Sequence, residues 1–285
     1  MDNFKVITAD CLDAMSKMEE NSFDACITDP PYGMGMEEWD HNVPTKEIWQ
    51  QTLRILKPGG FCLSFCSPQL YHRMASAVED AGFIIKDQIM WMVTTKMPKK
   101  NHLKQAHEPI VVAQKPFKGT IKKNFEKWGT GAIDITSTRV PWDGKPPTGW
   151  VKDGHKRRTF GKEGKTTGTQ KEFGKVDANP DGRYPSNIIG EVLPAHQKYF
   201  YAPRVTRKER GEYNDHPTPK PISLMSYLIK VYSPENSRII DPFCGSGSTG
   251  CSAVIEGREF VGIELSEHYS EISKRRIREY ASKSI

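Results

Sequence analysis

The sequence contains no run approaching the ~18 consecutive apolar residues of a membrane span. It has no Cys-x-x-Cys pair, and its N-terminus, MDNFKVITAD, has neither a basic stretch nor an apolar one. These absences exclude a spanning helix and a zinc ribbon, and no signal peptide is expected. Six cysteines (Cys11, Cys26, Cys62, Cys66, Cys244 and Cys251) are scattered along the chain, as reduced thiols in a cytosol-like compartment would be. Apolar residues are also scarce, at 36% with a mean hydropathy of −0.61. That is low for a compact enzyme but not low enough for wholesale disorder. At 285 residues the chain falls between one large domain and two ordinary ones, and it can bury a core without disulfide or metal.

The positive charge is concentrated. Residues 115–213 carry 21 Lys and Arg against 11 Asp and Glu, a net of +10, whereas the remainder nets −4. A local field of this kind suits a polyanion, because each neutralised phosphate releases counterions. A solvated lysine-rich loop that binds nothing is the alternative.

The first 114 residues alternate between strand and helix patterns. Strands are expected at 4–9, 23–28, 61–66, 83–93 and 109–114. Helices are expected at 12–18, at 45–56 with Thr45 as N-cap and KPGG as breaker, and at 69–81 closed by Gly82. This rhythm predicts an α/β fold with a mostly parallel sheet and helices on both faces. Periodicity is lost between 143 and 182, where eight glycines fall in forty residues, and a loop is expected. Short apolar pieces flank it at 131–140 and 184–200. From Pro217 the pattern returns, with helices at 221–232, 247–256 and 267–280 and strands at 238–240 and 259–264. The chain reads as one α/β domain with an insertion of about a hundred residues before its last third.

Two loops at strand ends carry the chemistry. Gly245-Ser-Gly247-Ser-Thr-Gly250 fits G-x-G-x-x-G, and Glu264 follows nineteen residues after Gly245, which by pattern alone is a dinucleotide fingerprint. However, Asp241-Pro242-Phe243-Cys244 stands between strand and glycines. A carboxylate there would repel a pyrophosphate but could receive an ammonium, with ribose hydroxyls on Glu264. That combination matches S-adenosylmethionine better than NAD. At the other loop, Asp29-Pro30-Pro31-Tyr32-Gly33 ends the apolar strand FDACIT. Two prolines remove two amide donors, so a carboxylate beside the Pro30 carbonyl forms an acceptor-only pocket suited to a planar –NH2, with the Tyr32 ring as a stacking face. A plain Pro-Pro turn is the bland reading of the same residues.

With both loops present, the sequence resembles the amino-group DNA methyltransferases that carry a D-P-P-Y motif, in the beta arrangement. DPPYG at 29–33 is similar to their catalytic motif and DPFCGSGSTG at 241–250 to their cofactor loop. HPTPKP at 216–221 is similar to the segment beside the methionine end of the cofactor, and Asp10-Cys11-Leu12 to the adenine contact. The resemblance implies a Rossmann-like S-adenosylmethionine-dependent methyltransferase fold, circularly permuted, with one antiparallel strand and an inserted target-recognition region. It divides the chain into a catalytic half at 1–114, the basic insertion at 115–213 and a cofactor-binding half at 214–285.

The same resemblance implies transfer of a methyl group to the N6 amine of a flipped-out adenine, with N4 of cytosine as the nearest alternative. An RNA methyltransferase and a non-catalytic DNA-binding module stand further off. Catalysis falls to Asp29, Pro30, Pro31 and Tyr32. The cofactor falls to Asp10, Cys11, Thr218, Lys220, Asp241, Phe243, Gly245, Ser246, Gly247, Ser248 and Glu264, and no metal is expected. The implied partner is double-stranded DNA, with room for a homodimer and a cognate restriction endonuclease, in the cytoplasm of a bacterial or phage-infected cell. No Pro-Cys dipeptide occurs, which speaks against cysteine-dependent methylation of cytosine carbon. Cys62 and Cys66 read as core, Cys244 as unreactive and His216 as a loop-orienting residue. His107-Glu108 resembles a recurring family position. Trp91, Trp128, Trp142 and Trp150 suit either core or base stacking.

The run Lys156-Arg157-Arg158 is the expected DNA contact. Neutralising all three should weaken DNA binding at every sequence. The slope of log affinity against log salt should fall by about 0.9 for each phosphate that no longer meets a cation. An unchanged slope would mark the run as a solvated face.

Overall fold

The computed structural model describes residues 3–35, 40–93, 105–142, 148–149, 176–177, 179–190, 205, 207–210 and 212–282. The elements run β1 (Phe4–Thr8), α1 (Cys11–Ser16), β2 (Phe23–Thr28), α2 (Lys46–Ile55), β3 (Leu56–Phe65), α3 (Tyr71–Asp80), β4 (Ile84–Met92), β5 (His107–Gln114) and α4 (Ile121–Trp128). They continue with β6 (Thr148–Gly149), β7 (Val176–Asp177), β8 (Ile188–Gly190), α5 (Arg207–Arg210), α6 (Ile222–Tyr232), β9 (Arg238–Asp241), α7 (Ser248–Ile255), β10 (Glu259–Glu264) and α8 (Glu267–Ala281). Two compact units result, Met1–Thr138 with Ser186–Ile285, and Arg139–Pro185.

The larger unit contains an eight-stranded sheet in the order β1-β10-β9-β2-β3-β5-β4-β8. Only β5 among these runs antiparallel to its neighbours, β3 and β4. The apolar runs explain the layering, because successive side chains of a strand point to opposite faces. From β2, Ala25 and Ile27 pack with Leu228 of α6 and Cys251 of α7, whereas Cys26 packs with Met15 of α1 and Trp49 of α2. Phe23 joins Cys26 on that face because the pairing with β3 shifts register between Phe23 and Ala25. A strand covered on both faces reads as an unbroken apolar segment, and β2 is buried along its whole length.

Most elements lie within two residues of their expected bounds, but three features differ. Strand β3 begins at Leu56, directly after α2 and five residues earlier than expected, so KPGG is part of a strand rather than a breaker. The backbone there is held from outside: Gly59 N donates to Lys115 O, and Lys115 N to Gly60 O. Thr45 occupies the N-cap position of α2 without a side-chain capping bond. Helix α4 has no counterpart in the sequence reading. Its Asn124 donates to Pro58 O at 2.9 Å and Thr130 O at 2.8 Å, which pins the α4 turn to the start of β3.

From the expected piece at 184–200, Ile188–Gly190 adds β8 to the sheet edge beside β4, and 191–200 lies outside the described residues. Of the glycine-rich stretch 143–182, the described parts are the β6–β7 pair and 179–182. In the smaller unit, a bridge joins Val140 to Arg183. The Arg139 guanidinium lies 4.2 Å from the Tyr184 ring centroid, and that of Arg183 4.9 Å from Trp142. Among the described residues, no helix is long and apolar enough to cross a membrane.

Asn124→Ala removes two bonds to buried carbonyls, a loss of about 1–3 kcal/mol, against roughly 0.6 kcal/mol regained in helix propensity. Urea unfolding should therefore show a net destabilisation of about 1–2 kcal/mol.

Candidate active site

The strand order grows from β9 through β10 to β1 on one side and from β2 to β3 on the other. The reversal lies between β9 and β2. In open α/β sheets, ligands bind at the carboxyl ends of the strands beside such a reversal. Here those ends carry Asp241, the last residue of β9, and Asp29, the first after β2. A cavity of about 1560 Å³ opens over them. Sites for one small molecule measure ~300–1,000 Å³, so this cavity has room for two ligands side by side.

Of the residues predicted for the site, Asp10, Cys11, Asp29, Pro30, Pro31, Tyr32, Thr218, Lys220, Asp241, Phe243, Gly245, Ser246, Ser248 and Glu264 line this cavity. Gly247 is not in the lining; it starts α7 with φ +82°, and a Cβ there would stand 2.9 Å from Ser273 Cβ. Its role is helix packing. Lys156, Arg157, Arg158 and Trp150 lie outside the described residues.

On the β9 side, three carboxylates face the cavity. Asp241 is 2% exposed, and its Oδ1 accepts from Thr28 Oγ1 at 2.7 Å and Phe243 N at 3.0 Å. Its Oδ2 accepts from Thr249 Oγ1 at 2.7 Å. Burial pushes this carboxyl up to about 6, with the three hydrogen bonds acting against it. Glu264 accepts from Gly245 N (2.7 Å) and Ser266 N (2.9 Å) on separate oxygens, and burial raises it also. Asp10 caps α1 through Leu12 N and Asp13 N at 2.8 and 3.2 Å. A carboxylate offers about four acceptor positions, so Asp241 keeps one and Glu264 two. This acceptor-rich set suits a cation bearing hydroxyls and disfavours a pyrophosphate.

The glycine loop is held by residues distant in sequence. His216 accepts from Thr218 N through Nδ1 (3.3 Å), which requires a neutral ring, and burial followed by the Lys220 charge lowers it to about 4. A Cβ on Gly245, whose φ is +50°, would lie 2.9 Å from His216 Nε2. Arg276, on α8 and 1% exposed, donates from Nη1 to Ser246 O (2.6 Å) and Ser246 Oγ (3.0 Å). The sequence reading missed it. Its signal was an arginine four residues after Ile272 and beside Ile277 on the buried stripe of α8.

On the β2 side, Tyr32 Oη donates to Asp29 Oδ1 at 2.6 Å, and Lys220 Nζ donates to Asp29 Oδ2. Glu108 Oε2 lies 3.4 Å from Tyr32 Oη and 4.0 Å from Lys220 Nζ. Lys220, predicted with Thr218 for the cofactor, thus sets its ammonium on the D-P-P-Y carboxylate. Burial pushes the Asp29 carboxyl up, while Lys220 and then Tyr32 pull it down. The Tyr32 phenol is raised by burial, then by Asp29 and Glu108. Asp40 ties down the following turn through Gly33 N and Met34 N. Burial pushes the thiols of Cys11 to about 11 and Cys251 to about 12, and raises Cys66 and Cys244, so these four are thiols at neutral pH. Trp91 is core, edge-on to Phe65 with ring centroids 6.2 Å apart.

A family model described as DNA methylase matches residues 23–275. The DNA adenine methyltransferase YhdJ of Escherichia coli (strain K12) is 26% identical over 291 residues, spanning 95% of this chain and 82% of that protein. The crystal structure of the M1.HpyAVI–SAM complex superposes with a TM-score of 0.54 at 20% identity, covering 96% of this chain and 99% of that one. PvuII DNA methyltransferase (cytosine-N4-specific) gives 0.62 at 15% identity, covering 99% and 92%. The chain belongs to the DNA methylase family.

The Asp241 carboxyl binds its proton more tightly in the fold than at the usual 3.8. Its contribution to stability is thus fullest at low pH and lost as pH rises from about 4 to about 6. Two pH units at ~1.4 kcal/mol each give about 3 kcal/mol. The unfolding free energy of wild type minus that of Asp241→Asn should fall by this order across the window, and a flat difference would contradict the burial argument.

Proposed function

We propose that this DNA methylase transfers the methyl group of S-adenosylmethionine to the N6 amine of an adenine in double-stranded DNA, rotated out of the helix into the cavity. The observation that carries the reading is the placement of two carboxylates on adjacent strand ends, Asp29 beside two prolines and Asp241 beneath the glycine loop, opening into one cavity large enough for both ligands. The donor chemistry fits this cofactor: Asp241 has one acceptor position left for an ammonium, Glu264 has two for ribose hydroxyls, and Asp10 and Cys11 border the adenine end. Phe243, Ser246, Ser248 and Thr218 complete its cradle. The name of YhdJ and the complex of M1.HpyAVI support adenine and S-adenosylmethionine respectively.

When bound, the cofactor supplies a methyl group on a sulfonium, ready for in-line displacement. The chain's own part is binding and orientation. Tyr32 stacks on the flipped base. Asp29 and the Pro30 carbonyl accept the two N–H bonds of the amine, which turns its lone pair away from the ring and raises its nucleophilicity. Asp29 also balances the positive charge that develops on the nitrogen, and the proton departs during or after transfer. Such preorganised electrostatics and positioning dominate reactions of this type.

Adenine is favoured over cytosine because the residue before Pro30 is a full carboxylate and because a purine gains more from stacking, part of ~1–3 kcal/mol per base. The N4-cytosine reading keeps one support, the fold likeness to the PvuII enzyme. The proposal includes 1–114 and 214–285 as catalytic and cofactor halves and 115–213 as the target-recognition insertion. On the resemblance alone, it extends to a cytoplasmic setting with a second copy of the chain and a cognate restriction endonuclease as partners.

Asp29→Ala should abolish methyl transfer, a loss of roughly 3–4 kcal/mol or more of transition-state stabilisation. Calorimetry should find cofactor binding near the wild-type value. Substantial remaining turnover would remove Asp29 from the mechanism.

A further inference from the structure

The ion pair between Lys220 and Asp29 spans 191 residues of sequence and sits inside the cavity. Lys220 is 7% exposed, Asp29 20% and Glu108 12% at the side chain. The ammonium also faces the rings of Tyr32, 5.6 Å away, and Phe65, 5.2 Å away. An amine acceptor is useful only while it is a carboxylate: a protonated Asp29 would present an O–H where the target amine brings an N–H. Burial pushes the group toward that protonated form, and the neighbouring Glu108, Asp241 and Cys66 add no positive charge. His216 on the same segment is neutral at physiological pH. Lys220 is thus the cation that faces Asp29 among these groups, at hydrogen-bond range on one oxygen while Tyr32 holds the other.

We propose that Lys220 is a positioning residue for methyl transfer, holding the Asp29 carboxylate ionised and fixed in direction so that it can accept the target amine. The inference rests on the reading of Asp29 as amine acceptor. Lys220 leaves each Asp29 oxygen a further acceptor position, so the amine can bind without displacing it. Glu108, 4.0 Å from the ammonium, partly offsets the Lys220 charge beside the incoming amine.

The test compares wild type, Lys220→Met and Lys220→Arg. An opposite charge at this range moves a carboxyl by about 1–3 pH units. In Lys220→Met the acidic limb of the kcat–pH profile should move up by that amount, so activity on the acidic side falls relative to wild type and recovers in part toward pH 9. Lys220→Arg should keep the wild-type limb. Calorimetric affinity for S-adenosylmethionine should change less than threefold in either variant. A Lys220→Met enzyme with an unmoved limb and a weakened cofactor affinity would overturn the proposal and assign Lys220 to the cofactor.

A second readout is independent of turnover. The side-chain carboxyl carbon of Asp29, labelled with carbon-13 and identified by its loss in Asp29→Asn, should titrate at higher pH in Lys220→Met than in wild type. Equal titration would contradict the proposal. If wild type methylates no DNA, the functional reading fails, while this titration still decides whether Lys220 controls Asp29.

Discussion

The parallel pairing of β2 with β9 is the constraint on which the site depends. It sets Ala25 opposite Ile239 and Cys26 opposite Ile240, so Asp241 at the end of β9 falls level with Ile27, and Asp29 follows two positions further along at the same edge of the sheet. Thr28 Oγ1 then reaches across to Asp241 at 2.7 Å, which ties the segment before Asp29 to the one before the glycine loop through one buried hydrogen bond. Residues 213 apart in sequence become a single wall of one cavity. The packing on both faces of the sheet holds this pairing, since both strands are buried from either side.

A common electrostatic pattern follows. Asp29, Asp241 and Glu264 are all raised by burial, and each is opposed by hydrogen bonds or a cation supplied from another element. Carboxylates kept in a shielded cleft gain more from a cationic ligand than carboxylates in water would. The cleft is therefore predisposed toward positively charged or amine-bearing groups and set against polyphosphates, although the glycine pattern at 245–250 taken alone suggests the reverse. Asp241, at the point where the strand meets the glycines, decides between the two.

Much of this was legible in the sequence wherever local pattern and final environment agree. FDACIT and EFVGIE read as strands because both are apolar runs ending in an acid or a proline turn, and they form β2 and β10 with the expected bounds. KPGG misled because glycine and proline usually interrupt; here Gly59 and Gly60 are clamped by the backbone of Lys115, a long-range contact that no window of sequence contains. Helix α4 was missed because IKKNFEKW has few apolar positions and is fixed by the side chain of Asn124 on distant carbonyls. The motif residues can be read from the sequence one at a time, but their mutual contacts cannot. Lys220 on Asp29, Arg276 on Ser246 and Glu108 near Tyr32 each join segments that only the folded sheet brings together.

The central claim is that a methyl group passes from S-adenosylmethionine to the exocyclic amine of adenine. It is tested most directly by incubating the protein with duplex DNA and cofactor carrying a trideuterated methyl group, then digesting the DNA to nucleosides for mass spectrometry. The account predicts N6-methyldeoxyadenosine bearing the deuterated methyl as the main new species. Deuterated N4-methyldeoxycytidine in its place would contradict the choice of base, and DNA without label would contradict the reaction itself.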